Sequence, residues 1–344
     1  MRQLKKTSLA LAAGLALGAA QHASAQTTLT MSSWVPPSHP LTKYFLQGWA
    51  NEAEKVTNGR VKFQMLPKAP VKAPGTFDGV HDDLVDMSYT TASYTPGRFL
   101  LAKLGELPGG GPTATINSIA YARTHYKFFA PANEYKGVHL LGVFTHGPGQ
   151  IFNSKHEVAK LADLKGLKIR TGGGVAADMG KAMGATLIFK PAPLAYELLK
   201  EGVADGVFFP LESPASFHLE KLIHYATIFH GGFYSSSFIF MMNQDKWNAL
   251  PQQDKDALNK ISGEWVARFA GGVWDDADKV GLNLIKKTGV KITYASPAFE
   301  AEMKKLAKPV IEAWYQDAAK RNVDGPKAFA YFHEQIGELE KASK

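Results

Sequence analysis

The sequence predicts an α/β fold of two lobes tied together by a long helix. Three observations carry that prediction. Two separate β-α-β series run through the chain, one before Leu107-Pro108-Gly109-Gly110-Gly111-Pro112 and one after it. A leader-like N-terminus leaves 319 of the 344 residues for the folded chain, a length that suggests two lobes rather than one. A helical stripe running from Leu250-Pro251 to about Lys287 is unusually long for a single lobe.

The elements follow in order. Arg2, Lys5 and Lys6 precede the uncharged apolar run Leu9–Ala20, and Ala23-Ser24-Ala25 is a small-residue cleavage site. Residues 1–25 therefore read as a secretory signal peptide, its apolar run too short to span a bilayer well. With no cysteine after the cleavage site, a lipoprotein anchor is not expected. The mature chain should be exported, most simply to a periplasm, and not embedded in a membrane. Leu29–Trp34 is a short strand pattern, and His39-Pro40 opens a helix to about Val56 with Leu41, Phe45, Trp49 and Ala53 on one stripe. Val61, Phe63 and Met65 alternate as a strand, Thr76–Leu84 is helical, and Val85–Thr90 is a third strand.

After the glycine-proline cluster come a helix over about Ala114–Phe129 and strands over Val138–Phe144 and Gln150–Asn153. In Asp163-Leu164-Lys165-Gly166-Leu167-Lys168-Ile169-Arg170, apolar Leu167 and Ile169 alternate with cationic Lys168 and Arg170. That strand stops at Thr171-Gly172-Gly173-Gly174, and a helix over about Val175–Met183 follows. Thr186–Phe189 is a strand, Pro193–Glu201 a helix, and Val203–Phe209 a turn into a strand. Phe238–Met242 is a buried strand, and the long helix is expected to break at Gly271-Gly272. Val290–Tyr294 and helices over about Ala298–Arg321 and Pro326–Ala342 complete the chain.

Composition excludes several chemistries. Cysteine is absent, which removes disulfides, thiolate catalysis and zinc–sulfur sites. The formal charge of +8 falls to +5 without the three leader cations, which is mildly basic, and no basic run points to nucleic acid. The 11 histidines lack paired metal-ligand spacing, so no metal site is expected, and there is no Gly-x-Ser-x-Gly elbow. The pairs Asp82-Asp83 and Asp275-Asp276 fall in helical settings expected to be solvated. Gly172-x-Gly174-x-x-Ala177 matches the dinucleotide fingerprint, but Phe189-Lys190 stands where the ribose-binding acid should be. No cofactor is therefore expected.

What remains suits an anion. Arg170 at a strand end presents a planar fork of donors matched to a carboxylate. The Gly172–Gly174 turn and the helix start after it should add N–H groups to the same ligand. Aromatics at strand ends, Trp34, Phe208, Phe209, Phe233 and Tyr234, supply a largely apolar slot. The candidate ligand-binding residues are Arg170, Trp34, His39, Tyr89, Gln150, Gly172, Phe209, Tyr234 and Ser236.

These stretches resemble the substrate-binding proteins of tripartite ATP-independent periplasmic (TRAP) transporters, DctP type. The resemblance lies in Ser33-Trp34…His39-Pro40, Gly59-Arg60-Val61, Phe152-Asn153-Ser154-Lys155, the Asp163–Arg170 run, Gly202-Val203-Ala204-Asp205-Gly206, and Asn243–Trp247…Leu250-Pro251. It implies the two-lobe, type II-like fold of periplasmic solute-binding proteins with a long helix across both lobes. Lobe I is expected to hold 26–148 plus about 236–275, and lobe II 149–235 plus about 276–344. It also implies that Arg170 pairs with a ligand carboxylate and that the loaded protein delivers its ligand to a membrane permease, driven by an ion gradient. Where many members place an asparagine after the aspartate-glycine turn, this chain has Phe209. Sialic-acid binders carry a second arginine in the region that is here Gly147-Pro148-Gly149-Gln150. Both departures favour a monocarboxylate with an apolar or aromatic body over a sugar acid, with a dicarboxylate left open if His39, Gln150 or Lys190 gives a second anchor. The alternatives from other classes are a receptor of an ATP-driven importer and a secreted hydrolase.

Overall fold

The computed structural model describes residues 26–343, so the proposed leader, 1–25, lies outside the described residues. Short β-branched and aromatic runs become strands wherever both faces can be covered. In the first half these are β1 (Thr27–Met31), β2 (Val61–Met65), β3 (Met87–Thr91) and β4 (Val138–Thr145). Between them lie α1 (Gln47–Val56), preceded by a π-helical turn over Leu41–Leu46, then α2 (Thr76–His81) and α3 (Ala114–Thr124). The second half brings β5 (Gln150–Asn153), β6 (Lys168–Thr171), α4 (Gly174–Ala182), β7 (Thr186–Phe189), α5 (Ala195–Lys200), β8 (Gly206–Phe209), α6 (Ser213–Ser216) and β9 (Tyr225–Ile228). The chain then returns through β10 (Ser237–Asn243), α7 (Gln244–Ala249), α8 (Gln252–Asn259), α9 (Glu264–Lys287), β11 (Lys291–Tyr294), α10 (Pro297–Ala319) and α11 (Gly325–Ala342).

Two sheets result. One has the order β2-β1-β3-β10-β4, with β10 antiparallel to both neighbours. The other has the order β11-β9-β5-β8-β6-β7, with β5 antiparallel to β8 and β9. The chain crosses between sheets at 146–149 and again at 229–236. Each sheet thus carries parallel β-α-β units whose strand ends face a shared cleft, where ligands bind in open α/β sheets. The first sheet packs over Phe45, Trp49, Phe144 and Phe240, the second over Phe152, Val207, Leu219 and Ile285.

The helix α9 ties the two together. Its 24 residues give a length of about 36 Å. Val266, Ala270 and Trp274 sit in the first core and Ile285 in the second. The break expected at Gly271-Gly272 is not there. The helical stretch is interrupted earlier, at Gly263, whose φ of 63° is left-handed and whose N–H bonds the Leu141 carbonyl at 2.7 Å. Gly271 serves close approach instead. A Cβ there would meet Thr115 Cα at 2.5 Å, so its absence lets α9 lie against the start of α3.

The expectation for Asp275 also needs correcting. Its carboxylate faces α3 rather than solvent, accepting from Ala114 N at 2.6 Å and from Thr115 N at 3.1 Å. It acts as a cap supplied by another helix for donors that α3 cannot satisfy itself. Asp275→Ala should cost about 1–2 kcal/mol, read as a lower urea midpoint with an unchanged slope. No change in midpoint would remove this capping role.

Strand β9 has no counterpart in the sequence reading. Its Tyr-Ala-Thr-Ile sequence has suitable side chains but is only four residues long and lies between polar loops, so it carries little periodicity.

Candidate functional site

Lys168 and Arg170 share one face of β6, but Lys168 begins the strand and is exposed, whereas Arg170 stands near its end, at the cleft, and is only 2% exposed. Its Nε–H donates to the Lys190 carbonyl at 2.8 Å, and its guanidinium carbon lies 4.5 Å from the centre of the Phe209 ring. Burial weakens its hold on the proton, and the groups that pull the other way are the tyrosines Tyr94 and Tyr234, not a carboxylate. Among the described residues, then, a fully buried cation has hydrogen-bond and π partners but no counter-anion. Such a group is costly in the free protein unless an anion joins it.

Gly172 keeps the guanidinium accessible. A Cβ there would stand 3.1 Å from Tyr94 Cε1 and 3.5 Å from Arg170 Nη2. The rest of the glycine turn does not serve the ligand as the sequence suggested. Gly173 and Gly174 have φ values of 106° and 58° and turn toward Ser93 and Glu106. Val175 N, in the first turn of α4, donates to the Glu106 carboxylate at 3.0 Å. Glu106 also accepts from Ser237 Oγ at 2.9 Å. The helix start is therefore taken by a carboxyl of the protein itself, held between α4 and β10 and pushed up to about 7 by burial.

Around Arg170 both sheets contribute to one cavity of about 50 Å³. From the first come Trp34, His39 and Thr91, from the second Gly172 and Phe209, with Tyr234 and Ser236 at the crossover. Trp34 is fixed by its indole N–H donating to the Tyr89 carbonyl at 3.0 Å, and its ring meets Tyr94 edge-on at 5.5 Å. Phe209 stacks on Phe217 at 5.5 Å with 12° between planes, and Phe217 in turn packs on His39 at 5.2 Å. An aromatic wall thus runs from Arg170 to His39.

Two of the candidates lie outside this cavity. Tyr89 is buried behind Trp34, its ring 5.4 Å away and its hydroxyl 3.1 Å from Ser33 Oγ. Gln150 spends its whole amide on one backbone residue, donating to Phe229 O at 3.3 Å and accepting from Phe229 N at 2.8 Å. Of the suggested second anchors, Lys190 contributes only its carbonyl, and its side chain is exposed. His39 does reach the cavity, but burial lowers its pKa to about 3, so it is neutral there. Because His39 Nδ1 accepts from Leu41 N at 3.2 Å, the ring proton is on Nε2.

Sequence reasoning missed Tyr94, His146, Glu212 and Trp274, all of which line the cavity. His146 Nδ1 donates to the Gly147 carbonyl, which leaves Nε2 to accept from Ser236 Oγ at 3.0 Å. Burial pushes its pKa down to about 4. Glu212 follows the end of β8, a position that by itself marks a ligand-facing loop. Burial pushes its carboxyl up to about 7, outweighing the Ser213 hydroxyl that donates to it at 2.6 Å.

That shift has a consequence for stability. Above the ordinary value of 4.5 the unfolded chain ionises Glu212, while the folded chain keeps it protonated up to about 7. Its contribution is complete at low pH and is lost as pH rises through that window, at about 1.4 kcal/mol per pH unit. Glu212→Gln lacks this titration. The melting temperature of the variant should gain on wild type between about pH 5 and about pH 7.5. A constant difference across that range would contradict a buried, protonated Glu212.

The family profile described as bacterial extracellular solute-binding protein, family 7 (DctP) matches residues 31–317. The chain belongs to this family, and is thus a solute-binding receptor of TRAP type rather than an enzyme. Among solved structures it is similar to a TRAP periplasmic solute-binding protein from Bordetella bronchiseptica with bound (R)- and (S)-mandelate. That likeness has 44% identity and a TM-score of 0.89, over 91% of this chain and 99% of the other. A TRAP solute-binding protein from Rhodoferax ferrireducens, in complex with copurified benzoate, is 25% identical with a TM-score of 0.87, over 93% and 100% of the two chains. The outer membrane transporter protein TsaT of Comamonas testosteroni is 31% identical over 90% of this chain and 91% of its own. Among the described residues, no helix is long and apolar enough to cross a membrane.

Proposed function

We propose that this protein is a periplasmic receptor for an aromatic monocarboxylate, which it delivers to a TRAP membrane permease. The observation that carries this reading is the pairing of Arg170 with Phe209. Among the described residues, the buried strand-end arginine of the cavity has no carboxylate partner, and a phenyl ring stands directly beneath it. The ligand carboxylate takes the guanidinium, and its ring lies along Phe209, Tyr234 and Trp34. The bound mandelate and benzoate of the two relatives support the same ligand class. Export to the periplasm is supported by the leader pattern of 1–25.

Closure of the two lobes on the ligand is a population shift driven by contacts made only when residues of both sheets meet it. A thermal-shift series on the mature protein tests the reading. Benzoates, arylacetates and aryl-2-oxo acids should raise the melting temperature, and the bound acid should be recovered chemically unchanged. A rise with C4-dicarboxylates alone would discard the aromatic assignment, and turnover of the acid would discard the receptor.

A further inference from the structure

We propose that the end of the cavity away from Arg170 is a hydroxyl-reading subsite, in which Glu212, Trp274 and His39 together take a neutral hydroxyl carried on the ligand's ring. This rests on the reading of Arg170 as the carboxylate anchor and adds to it a second, specificity-determining contact.

The observation is a cluster of polar atoms without partners. Glu212 Oε2, Trp274 Nε1 and Thr91 Oγ1 are each buried and make no hydrogen bond among the described residues, and all three residues line this cavity. Buried polar atoms are nearly always paired, so several orphans converging on one cavity mark where a ligand supplies the partners. Glu212 is 1% exposed and Trp274 3%. Glu212 Oε1 is already engaged by Ser213, whereas Oε2 faces His39 Nε2 at 3.9 Å, too far for a hydrogen bond. The Trp274 ring lies 6.0 Å from that same imidazole. His39 therefore borders two of the three orphans, those of Glu212 and Trp274, and its own Nε2–H is a donor.

The chemistry of these groups selects the occupant. Indole N–H and imidazole N–H can only donate, whereas Glu212 Oε2 can accept and, when the carboxyl is protonated, can also donate its proton. A hydroxyl both accepts and donates, so it can satisfy a donor and the Glu212 oxygen at once. A second carboxylate does not fit as well. Asp278 stands behind Glu212, accepting from Glu212 N at 2.8 Å, and burial beside Glu212 raises its carboxyl well above the usual range. The other titratable groups facing Glu212 are His39, Tyr89 and Tyr234, none of them a cation. An anion placed there would have no positive charge beside it among the described residues, and would be tolerated only while both Glu212 and Asp278 stay protonated. An ammonium would require Glu212 to ionise in a site that disfavours it.

The aromatic wall fixes where on the ligand the hydroxyl must be. Arg170 rests on Phe209, Phe209 stacks on Phe217, and Phe217 packs at a tilt on His39, so a run of aromatic rings lies between the two polar ends. A hydroxyl on the carbon next to the carboxylate falls at the Arg170 end. One on the ring, meta or para, points toward Glu212.

Calorimetric titration of matched pairs tests this. Benzoate and phenylacetate are compared with their 3- and 4-hydroxy forms, alongside mandelate, 4-aminobenzoate and succinate, in wild type, Glu212→Leu and Glu212→Gln. In wild type at least one ring-hydroxylated acid should bind about tenfold or more tightly than its parent. Glu212→Leu should bring the ratio of the two affinities to about one, whatever it does to the parent acid's own affinity, and Glu212→Gln should keep part of the ratio. The proposal is overturned if parent and ring-hydroxylated acids bind wild type equally, or if Glu212→Leu weakens both alike, as a purely structural role would. Tightest binding by mandelate, the amino acid analogue or succinate also overturns it. If no acid of the series binds, the Arg170 reading has failed first and this subsite falls with it.

Discussion

Arg170→Ala is expected to weaken binding of the cognate carboxylate by about 2–5 kcal/mol, or roughly 30-fold to several thousand-fold. Among the described residues Arg170 supplies the only positive charge lining the cavity, and its Nη groups are kept accessible by Gly172. Arg170→Lys should recover little. Lysine offers a point charge on a flexible stem and no planar fork, and it cannot reproduce the bond to the Lys190 carbonyl together with a bidentate grip. The ligand-free variant should melt no lower than wild type, because a buried cation without a counter-anion has been removed. Lost binding with unchanged folding therefore separates a ligand anchor from a structural arginine. Undiminished affinity in Arg170→Ala would remove the carboxylate assignment altogether.

Gly281→Ala is expected to lower stability and ligand affinity together. Gly281 faces the loop that follows β8, and an added Cβ would press on the Leu211 carbonyl and come within 2.8 Å of Glu212 Cα. These are backbone atoms, which cannot swing aside as a side chain can. Overpacking of this kind costs about 1–3 kcal/mol, more where the backbone itself must move. Since that loop carries Glu212 into the cavity, ligand affinity should fall along with the melting temperature. Gly272 gives the contrast on the same helix. A Cβ there meets nothing within 4 Å, so Gly272→Ala should stabilise by about 0.5–1 kcal/mol through helix propensity alone. If both variants behave alike, the close crossing of α9 over this loop is not what Gly281 provides.

Much of this architecture could be read from periodicity. The strands β2, β7 and β11 and the helices α10 and α11 fall within a few residues of their expected bounds, because each has a clear pattern and a turn residue at its end. Arg170 was legible because it ends a strand beside a glycine loop and a helix start. Other site residues were hidden by geometry that crosses the chain. Nothing local to Gly173 and Gly174 reveals that Glu106, some seventy positions earlier, has already taken the start of α4. Gln150 looked like an available amide, yet Phe229 on the neighbouring crossover absorbs both its donor and its acceptor. Trp274 read as one more residue of an apolar helical stripe. Only the packing of α9 under the cavity makes it part of the lining. Glu212 carried a weak signal, an acid just past a buried strand, that became interpretable once Asp278, His39 and Ser213 were seen around it.

The most direct test of the central claim is a crystal structure of the mature protein grown with a benzoate-class acid. The expected result is a carboxylate within hydrogen-bonding distance of the Arg170 Nη atoms, with the ring lying against Phe209 and Tyr234. A carboxylate seated instead at the Glu212 and His39 end, or an acid bound outside this cavity, would contradict it.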